Sequence, residues 1–314
     1  MLHRPFGKIP ARASGVFPGG PWVATEKVHG AQLVVAVDTA TGEGRIGKRK
    51  AWLEPADVFF GWQLLAPELL AAVREWAEAL EVTQLHAYGE LYGGAYPHPD
   101  VTALPGLQAV QTGVWYHPGL RWSPFDLLLC AGDDDEGVFA SYSELAALSE
   151  EGPFLPPPLV ARGSRADLLA LPVASPTRLP ARASLPPLAD NIAEGLVLRP
   201  DRRMAPGDRS LLKRKIPTFD DACFDEATPW APGVLSEPAL RDWAARLVGP
   251  ARVASARSKV GTDATAVADE VALDVMVDLS ELFDESWRAL SDEGREGVEA
   301  HIRATLEALL ASPA

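Results

Sequence analysis

The hydrophobic pattern changes period along the chain, and this limits the folds open to it. Downstream of about residue 260, Val267, Val271, Val275, Leu279 and Leu282 recur at steps of 4, 4, 4 and 3, and Val298, Ile302, Leu306 and Leu309 at 4, 4 and 3. Both are the apolar stripes of amphipathic helices. Upstream, the apolar runs Leu33–Val37, Phe125–Leu129, Gly195–Leu198 and Leu211–Leu212 are short and bounded by Gly, Pro or charge, as strands are. A strand-rich part followed by a helical part is expected, an α+β chain with the boundary near Thr228–Gly233, where Pro229 and Pro232 flank Trp230. Residues 1–228 then form the first domain and 229–314 a small all-α second one. Residues 151–190 are also rich in Pro, but Ser141–Glu144 and Ser164–Asp167 both read S-x-x-E/D, a helix-start signature. This stretch therefore reads as short elements within the first domain.

Charge narrows the partners. The chain of 314 residues carries a net charge of −14, so it does not coat nucleic acid by bulk charge, although local basic grooves act within a Debye length. Half of the excess falls in the last 86 residues, with 8 basic and 15 acidic groups. In the first part, basic residues cluster at Arg45–Lys50 and Arg199–Lys215. Two cysteines, Cys130 and Cys223, cannot build a disulfide framework or a four-cysteine metal site, and a reducing cytoplasm is the expected home. No apolar run reaches a membrane span, and the N-terminus MLHRPFGKIP has no apolar signal core. Asp133–Glu136 lies between glycines and reads as a solvated turn.

Chemistry concentrates in five ordered segments. Thr25-Glu26-Lys27-Val28-His29-Gly30 precedes the strand Leu33–Asp38. His86-Ala87-Tyr88-Gly89-Glu90-Leu91-Tyr92-Gly93-Gly94 follows, then Phe125-Asp126 after Trp115-Tyr116. Next come Ala193-Glu194-Gly195-Leu196-Val197-Leu198-Arg199 and Leu212-Lys213-Arg214-Lys215-Ile216. Strand alternation puts Lys213 and Lys215 on one face and Arg214 on the other. Two ammonium groups on one face suit a polyphosphate. Glu194 is the best metal-ligand candidate, since magnesium takes one or two carboxylates with phosphate and water, and Gly195 lets backbone approach a ligand closely.

Together these segments resemble the covalent nucleotidyltransferases, the superfamily of ATP-dependent polynucleotide ligases and RNA capping enzymes. Its K-x-D-G motif has His29 in the third place here, as in the nick-sealing RNA ligases and trypanosome RNA-editing ligases. The resemblance covers nearly all of residues 21–220 and extends weakly to Ser258–Gly261. It implies two antiparallel sheets around an ATP cleft. It also implies a lysyl-adenylate on Lys27 and joining of a 3′-hydroxyl to a 5′-phosphate at nicks in duplex RNA, with ATP and Mg²⁺ or Mn²⁺. Lys27, Glu194, Lys213 and Lys215 are the implied catalytic groups. Glu26, Gln32, Arg49, Glu90, Phe125 and the same lysines are the implied nucleotide contacts, with Glu90 on the ribose and Phe125 on adenine. Gln32 stands where Asn is usual, and Lys50 follows Arg49 where Ser is usual. Arg252, Arg257 and Lys259, the dense basic group of the acidic second part, are the expected grip on RNA. Two other readings are a DNA-nick ligase, disfavoured because no strand-rich region for an OB barrel follows Lys215, and a non-enzymatic binding module, which would need no nucleophile. The sequence names no protein partner.

Overall fold

The computed structural model describes residues 1–10, 18–219 and 233–311. The elements run β1 (Trp22–Lys27), β2 (Ala31–Asp38), β3 (Gly44–Lys48), β4 (Ala51–Trp52), α1 (Ala66–Ala79), β5 (Gln84–Ala95), β6 (His117–Cys130) and β7 (Val138–Phe139). They continue with α2 (Tyr142–Ser149), β8 (Leu159–Gly163), α3 (Arg165–Leu169), α4 (Leu179–Arg182), β9 (Gly195–Pro200) and β10 (Leu212–Lys215). The helices α5 (Glu237–Leu247), α6 (Pro250–Val260), α7 (Ala264–Leu282), α8 (Asp284–Ala289) and α9 (Asp292–Ala311) follow. The expected class, α+β with antiparallel sheets and a helical C-terminal part, is the class observed.

Two compact units emerge. The first takes Met1–Leu53, Ala72–Leu104 and Ala109–Thr228, and the second Glu54–Ala71, Pro105–Gln108 and Pro229–Ala314. The second thus includes two short segments from the middle of the sequence. The expected boundary at residues 228/229, like Cys223, lies outside the described residues.

In the first unit every strand pairing is antiparallel. A four-stranded sheet has the order β10-β9-β1-β8, and a six-stranded sheet the order β4-β3-β2-β5-β6-β7. Leu33–Val37 is buried throughout, the pattern of a strand covered on both faces. Trp22, Ala24, Leu196, Leu198 and Leu212 of the smaller sheet bury themselves with Leu168 of α3. Ser141 and Ser164 cap α2 and α3: each side chain accepts the backbone N–H three residues on, and Glu144 and Asp167 answer the cap N–H. These capping boxes satisfy end groups that a helix otherwise leaves open. Asp135 accepts the N–H groups of Ala131 and Gly137 and closes the acidic turn.

In the second unit the helical stripes are core. Val267, Val271, Val275, Leu279 and Leu282 of α7 and Val298, Ile302 and Leu306 of α9 are all buried. Among the described residues no helix is long and apolar enough to cross a membrane.

Two members of the basic group on α6 are engaged within the helical unit. Arg252 is only 5% exposed. Its Nε donates to the Leu247 carbonyl at 2.9 Å, and its guanidinium pairs with Asp278 of α7. Lys259 pairs with Glu270 at 2.9 Å and Asp274 at 3.0 Å. These two residues therefore neutralise carboxylates of the neighbouring helix, and of the three only Arg257 shows no such pairing among the described residues. Removing one partner of a buried ion pair strands the other, at about 3–5 kcal/mol. Arg252→Ala is accordingly expected to destabilise the helical unit by about 3 kcal/mol, read as a lowered urea midpoint.

Candidate active site

Three strands of the smaller sheet meet in one rung. Lys27 ends β1 opposite Gly195 of β9, and Gly195 faces Lys215 of β10 on its other side. Register alone thus places two lysines on either side of a glycine. Glu194 precedes that glycine and is 1% exposed. Its Oε2 accepts the Lys27 ammonium at 2.7 Å and its Oε1 the Lys215 ammonium at 2.9 Å. His29 Nδ1 lies 3.4 Å from the same Oε2. Burial pushes the Glu194 carboxyl up, but hydrogen bonds from His29, Lys27 and Lys215 outweigh it and hold the group down at about 2. Glu194 is therefore ionised at any working pH.

Gly195 is required by this rung. Its φ of 151° lies in a region essentially closed to side chains. A Cβ there would stand 2.0 Å from the Arg214 carbonyl oxygen. The Ile216 N–H donates to the Glu194 carbonyl at 3.0 Å and ties the end of β10 back to the same point. Lys213 shares the Lys215 face by alternation, while Arg214 turns away and donates to the Leu171 carbonyl.

The connection from β1 to β2 carries the rung to the larger sheet. The His29 N–H donates to the Tyr116 hydroxyl at 2.9 Å. Gly30 packs so close to β5 that a Cβ would lie 2.1 Å from the Leu91 carbonyl oxygen. Its N–H donates to the Glu90 carboxylate. Burial pushes Glu90 up to about 7; Lys27 pulls it down and Glu194 pushes it further up. Gln32 stands opposite Glu90 across the β2–β5 ladder, and its buried Nε2 has no acceptor among the described residues. Ser123 of β6 is opposite Glu90 on the other side. One acidic and one amide side chain thus look toward the lysine pair, as a polar nucleotide contact requires.

Glu90 has a measurable consequence. The native group holds its proton to about pH 7, whereas a carboxyl of ordinary value 4.5 ionises earlier in the unfolded chain. The unfolded state binds fewer protons in that window, so stability falls as pH rises through it. Glu90→Gln removes the effect. Wild type is expected to lose roughly 2–3 kcal/mol relative to the variant between pH 4.5 and 7, read from urea midpoints across that range.

The remaining expected contacts are placed differently. Glu26 is 3% exposed, and its carboxylate is taken by the Thr177 hydroxyl and, at 2.9 Å, by the Arg178 N–H. Its side chain fixes the Pro-rich segment, leaving only its backbone toward a ligand. Arg49 is exposed on the β3–β4 turn. Phe125 is half-buried and packs on Phe6, with ring centres 5.1 Å apart. Its carbonyl accepts Arg199 Nη1 at 2.7 Å.

Four contributors were not expected from sequence. Asp126, 1% exposed, pairs with Arg199 at 3.3 Å and with Arg209. The Arg209 guanidinium also lies 3.6 Å over the Phe139 ring. These pairs anchor the strand that bears Phe125. Tyr116 supplies the hydroxyl under His29. Aromatic Trp115-Tyr116 was a visible signal for the last; nothing local announced that Asp126 faces inward.

Among the described residues no group of three or more His, Cys, Asp or Glu side chains gathers as a metal cluster. A single ionised, hard carboxylate beside two lysines fits a metal shared with phosphate and water, not an all-protein cage. Glu194 is that carboxylate.

The RNA ligase family profile matches residues 20–215. The chain is 32% identical to mitochondrial RNA-editing ligase 2 of Trypanosoma brucei brucei over 232 residues, 66% of this chain and 56% of that protein. It is 32% identical to mitochondrial RNA-editing ligase 1 of the same organism over 227 residues, 63% and 48% of the two chains. It therefore spans about half the length of the curated relatives it matches. Among solved structures, a Naegleria gruberi RNA ligase with ATP and Mn is similar at a TM-score of 0.43 and 14% identity, covering 63% of this chain and 50% of that one. With the family profile spanning the lysine–glutamate–lysine rung and both sheets, the chain belongs to the RNA ligase family.

Proposed function

We propose that the protein is an ATP-dependent RNA ligase that seals nicks in duplex RNA through a Lys27-AMP intermediate. The observation that carries this reading is Glu194 bridging Lys27 and Lys215 across Gly195. A buried ammonium–carboxylate–ammonium array at a strand end costs desolvation, and a phosphoryl-transfer site is where such an array has a use.

The Lys27 nitrogen, having lost its proton, attacks the α-phosphorus of ATP. The N–P bond forms as the bond to pyrophosphate breaks. A 5′-phosphate oxygen of the RNA then attacks the same phosphorus and frees Lys27. Finally the 3′-hydroxyl attacks the activated 5′-phosphorus, and AMP leaves. Lys215 and Lys213 neutralise charge on the phosphates, Glu90 and Gln32 hold the ribose side, and the half-buried face of Phe125 receives adenine. Glu194 would hold Mg²⁺ or Mn²⁺, which when bound supplies further charge neutralisation at the phosphates. Residues 1–228 carry the adenylyl transfer in this reading, and the helical residues 229–314 serve the polynucleotide, with Arg257 and Lys259 the exposed members of the α6 basic group.

The test is twofold. Incubation with labelled ATP and magnesium, followed by a denaturing gel, should show a covalent adduct. A panel of nicked RNA, DNA and hybrid duplexes should show sealing of RNA first. Sealing of DNA nicks alone would move the chain to the DNA-ligase reading.

A further inference from the structure

A cavity of about 290 Å³ opens in the first unit, lined by Tyr116, whose hydroxyl holds the His29 N–H, and otherwise by residues given no part in the nucleotidyl transfer. Tyr92, His117, Arg121, Leu155, Leu179 and Arg182 form most of its wall. Its size stands at the small end of ligand sites, which run roughly 300–1,000 Å³, so it has room for one nucleotide and not for a duplex.

Some arginines of the unit answer carboxylates: Arg162 with Asp201, Arg203 with Glu144, Arg199 and Arg209 with Asp126. Others donate to backbone carbonyls, as Arg74, Arg178 and Arg214 do, and Arg121 and Arg182 belong with these. Arg121 gives one donor to the Leu120 carbonyl and Arg182 one to the Pro156 carbonyl at 2.6 Å. Neither pairs with a carboxylate among the described residues. Most of the five N–H donors of each guanidinium are left for a ligand. Both cations act on the Tyr92 phenol, which burial pushes up to about 12 while they pull it down. His117 adds no charge, since burial and Arg121 lower it to about 4 and its Nδ1 accepts the Gly119 N–H. The cavity therefore presents two guanidiniums, a neutral imidazole, a tyrosine and apolar walls. Tyr116 lines the cavity and its hydroxyl accepts the His29 N–H at 2.9 Å, which joins this wall to the loop after Lys27.

We propose that this cavity takes one unpaired nucleotide of the RNA substrate, its phosphate on Arg121 and Arg182 and its base against Tyr92. Arginine forks match phosphate oxygens, and unstacked RNA bases seek aromatic faces. That the nucleotide belongs to RNA rests on the ligase reading above. ATP is the other source of the same chemistry, but the ATP-directed residues Lys27, Glu194 and Lys215 do not line this cavity.

The test compares the full chain with Arg121→Ala, Arg182→Ala and the double variant on a pre-adenylylated RNA duplex that carries one unpaired nucleotide beside the nick. Each single change is expected to raise KM for RNA about tenfold, the loss of one charge-assisted contact, and the pair about a hundredfold. The value of kcat should stay within about threefold, since neither arginine touches the reacting atoms. The log–log salt dependence should become shallower by about 0.7 in the double variant, one single-strand phosphate. An unchanged KM in the double variant with an unchanged melting temperature would overturn the proposal. So would a rise in KM for ATP instead of RNA, which would assign the arginines to the triphosphate. Direct binding of a fluorescent 5′-phosphorylated RNA keeps the two readings separate. If wild type seals nothing, the ligase reading fails, yet RNA binding weakened by the double variant still supports the cavity, and equal binding overturns it.

Discussion

Glu194→Gln is expected to slow adenylylation of Lys27 by two or more orders of magnitude, about 3 kcal/mol of transition-state stabilisation. The change keeps the shape of the side chain and removes its charge. Two ammonium groups, each bonded to this carboxylate within 2.9 Å, then face one another across one glycine without the charge that bridges them. The acceptor beside the nucleophile weakens, and so does the carboxylate proposed to share a metal with phosphate. Stability should fall less. The lysine side chains are 20% and 19% exposed and can turn toward water, so a loss of about 1–2 kcal/mol is expected. Single-turnover adenylylation and urea unfolding, measured on the same preparation, separate the two effects. A rate within a few-fold of wild type removes Glu194 from the chemistry.

Gly195→Ala is the largest structural effect the site predicts. The backbone at φ 151° excludes a side chain, and the new methyl group would meet the Arg214 carbonyl at 2.0 Å. Either β10 leaves β9, or the rung twists and parts Lys27 from Lys215. Strain of this kind costs about 1–3 kcal/mol, and the lost strand pairing adds to it, so a total of roughly 3–5 kcal/mol is expected. Adenylylation should fall at least as far as in Glu194→Gln, because misplacement by 1 Å alone costs about a hundredfold. A folded Gly195→Ala protein with wild-type activity would contradict the argument that close approach of three strands builds the site.

Much of this was legible in the residues because local rules and global fold agree there. The stripes of α7 and α9 are buried as their spacing demands, and S-x-x-E/D at Ser141 and Ser164 produced two complete capping boxes. Alternation put Lys213 and Lys215 on one face without reference to any fold. The rest depended on long-range pairing. The apolar run Phe125–Leu129 marked only part of β6, which extends back through Pro118 and Pro124; Pro124 sits opposite Gly89 at a break in register, where a missing N–H is tolerated. Arg252 and Lys259 read as a phosphate grip because their acidic partners lie on α7, beyond the reach of local charge pattern. Adjacent residues of a regular strand face opposite ways, but the register shift between Tyr88 and Gly89 lies beside Phe125 and Asp126, and Asp126 meets two arginines. Glu26 read as a nucleotide contact, and its side chain is instead fastened by Thr177 and Arg178, some 150 residues later.

The central claim is that Lys27 is the nucleophile, and its most direct measurement is the site of label. Wild type, Lys27→Ala and Lys27→Arg are incubated with α-phosphate-labelled ATP and magnesium, denatured, and the label is mapped by peptide mass. The account predicts one AMP per wild-type chain on the peptide containing Lys27. It predicts none on either variant, since alanine has no amine and arginine stays protonated at any working pH. Both variants should melt within a few degrees of wild type. An AMP adduct on Lys27→Ala, or a wild-type adduct mapped to Lys213, Lys215 or any other lysine, would contradict it.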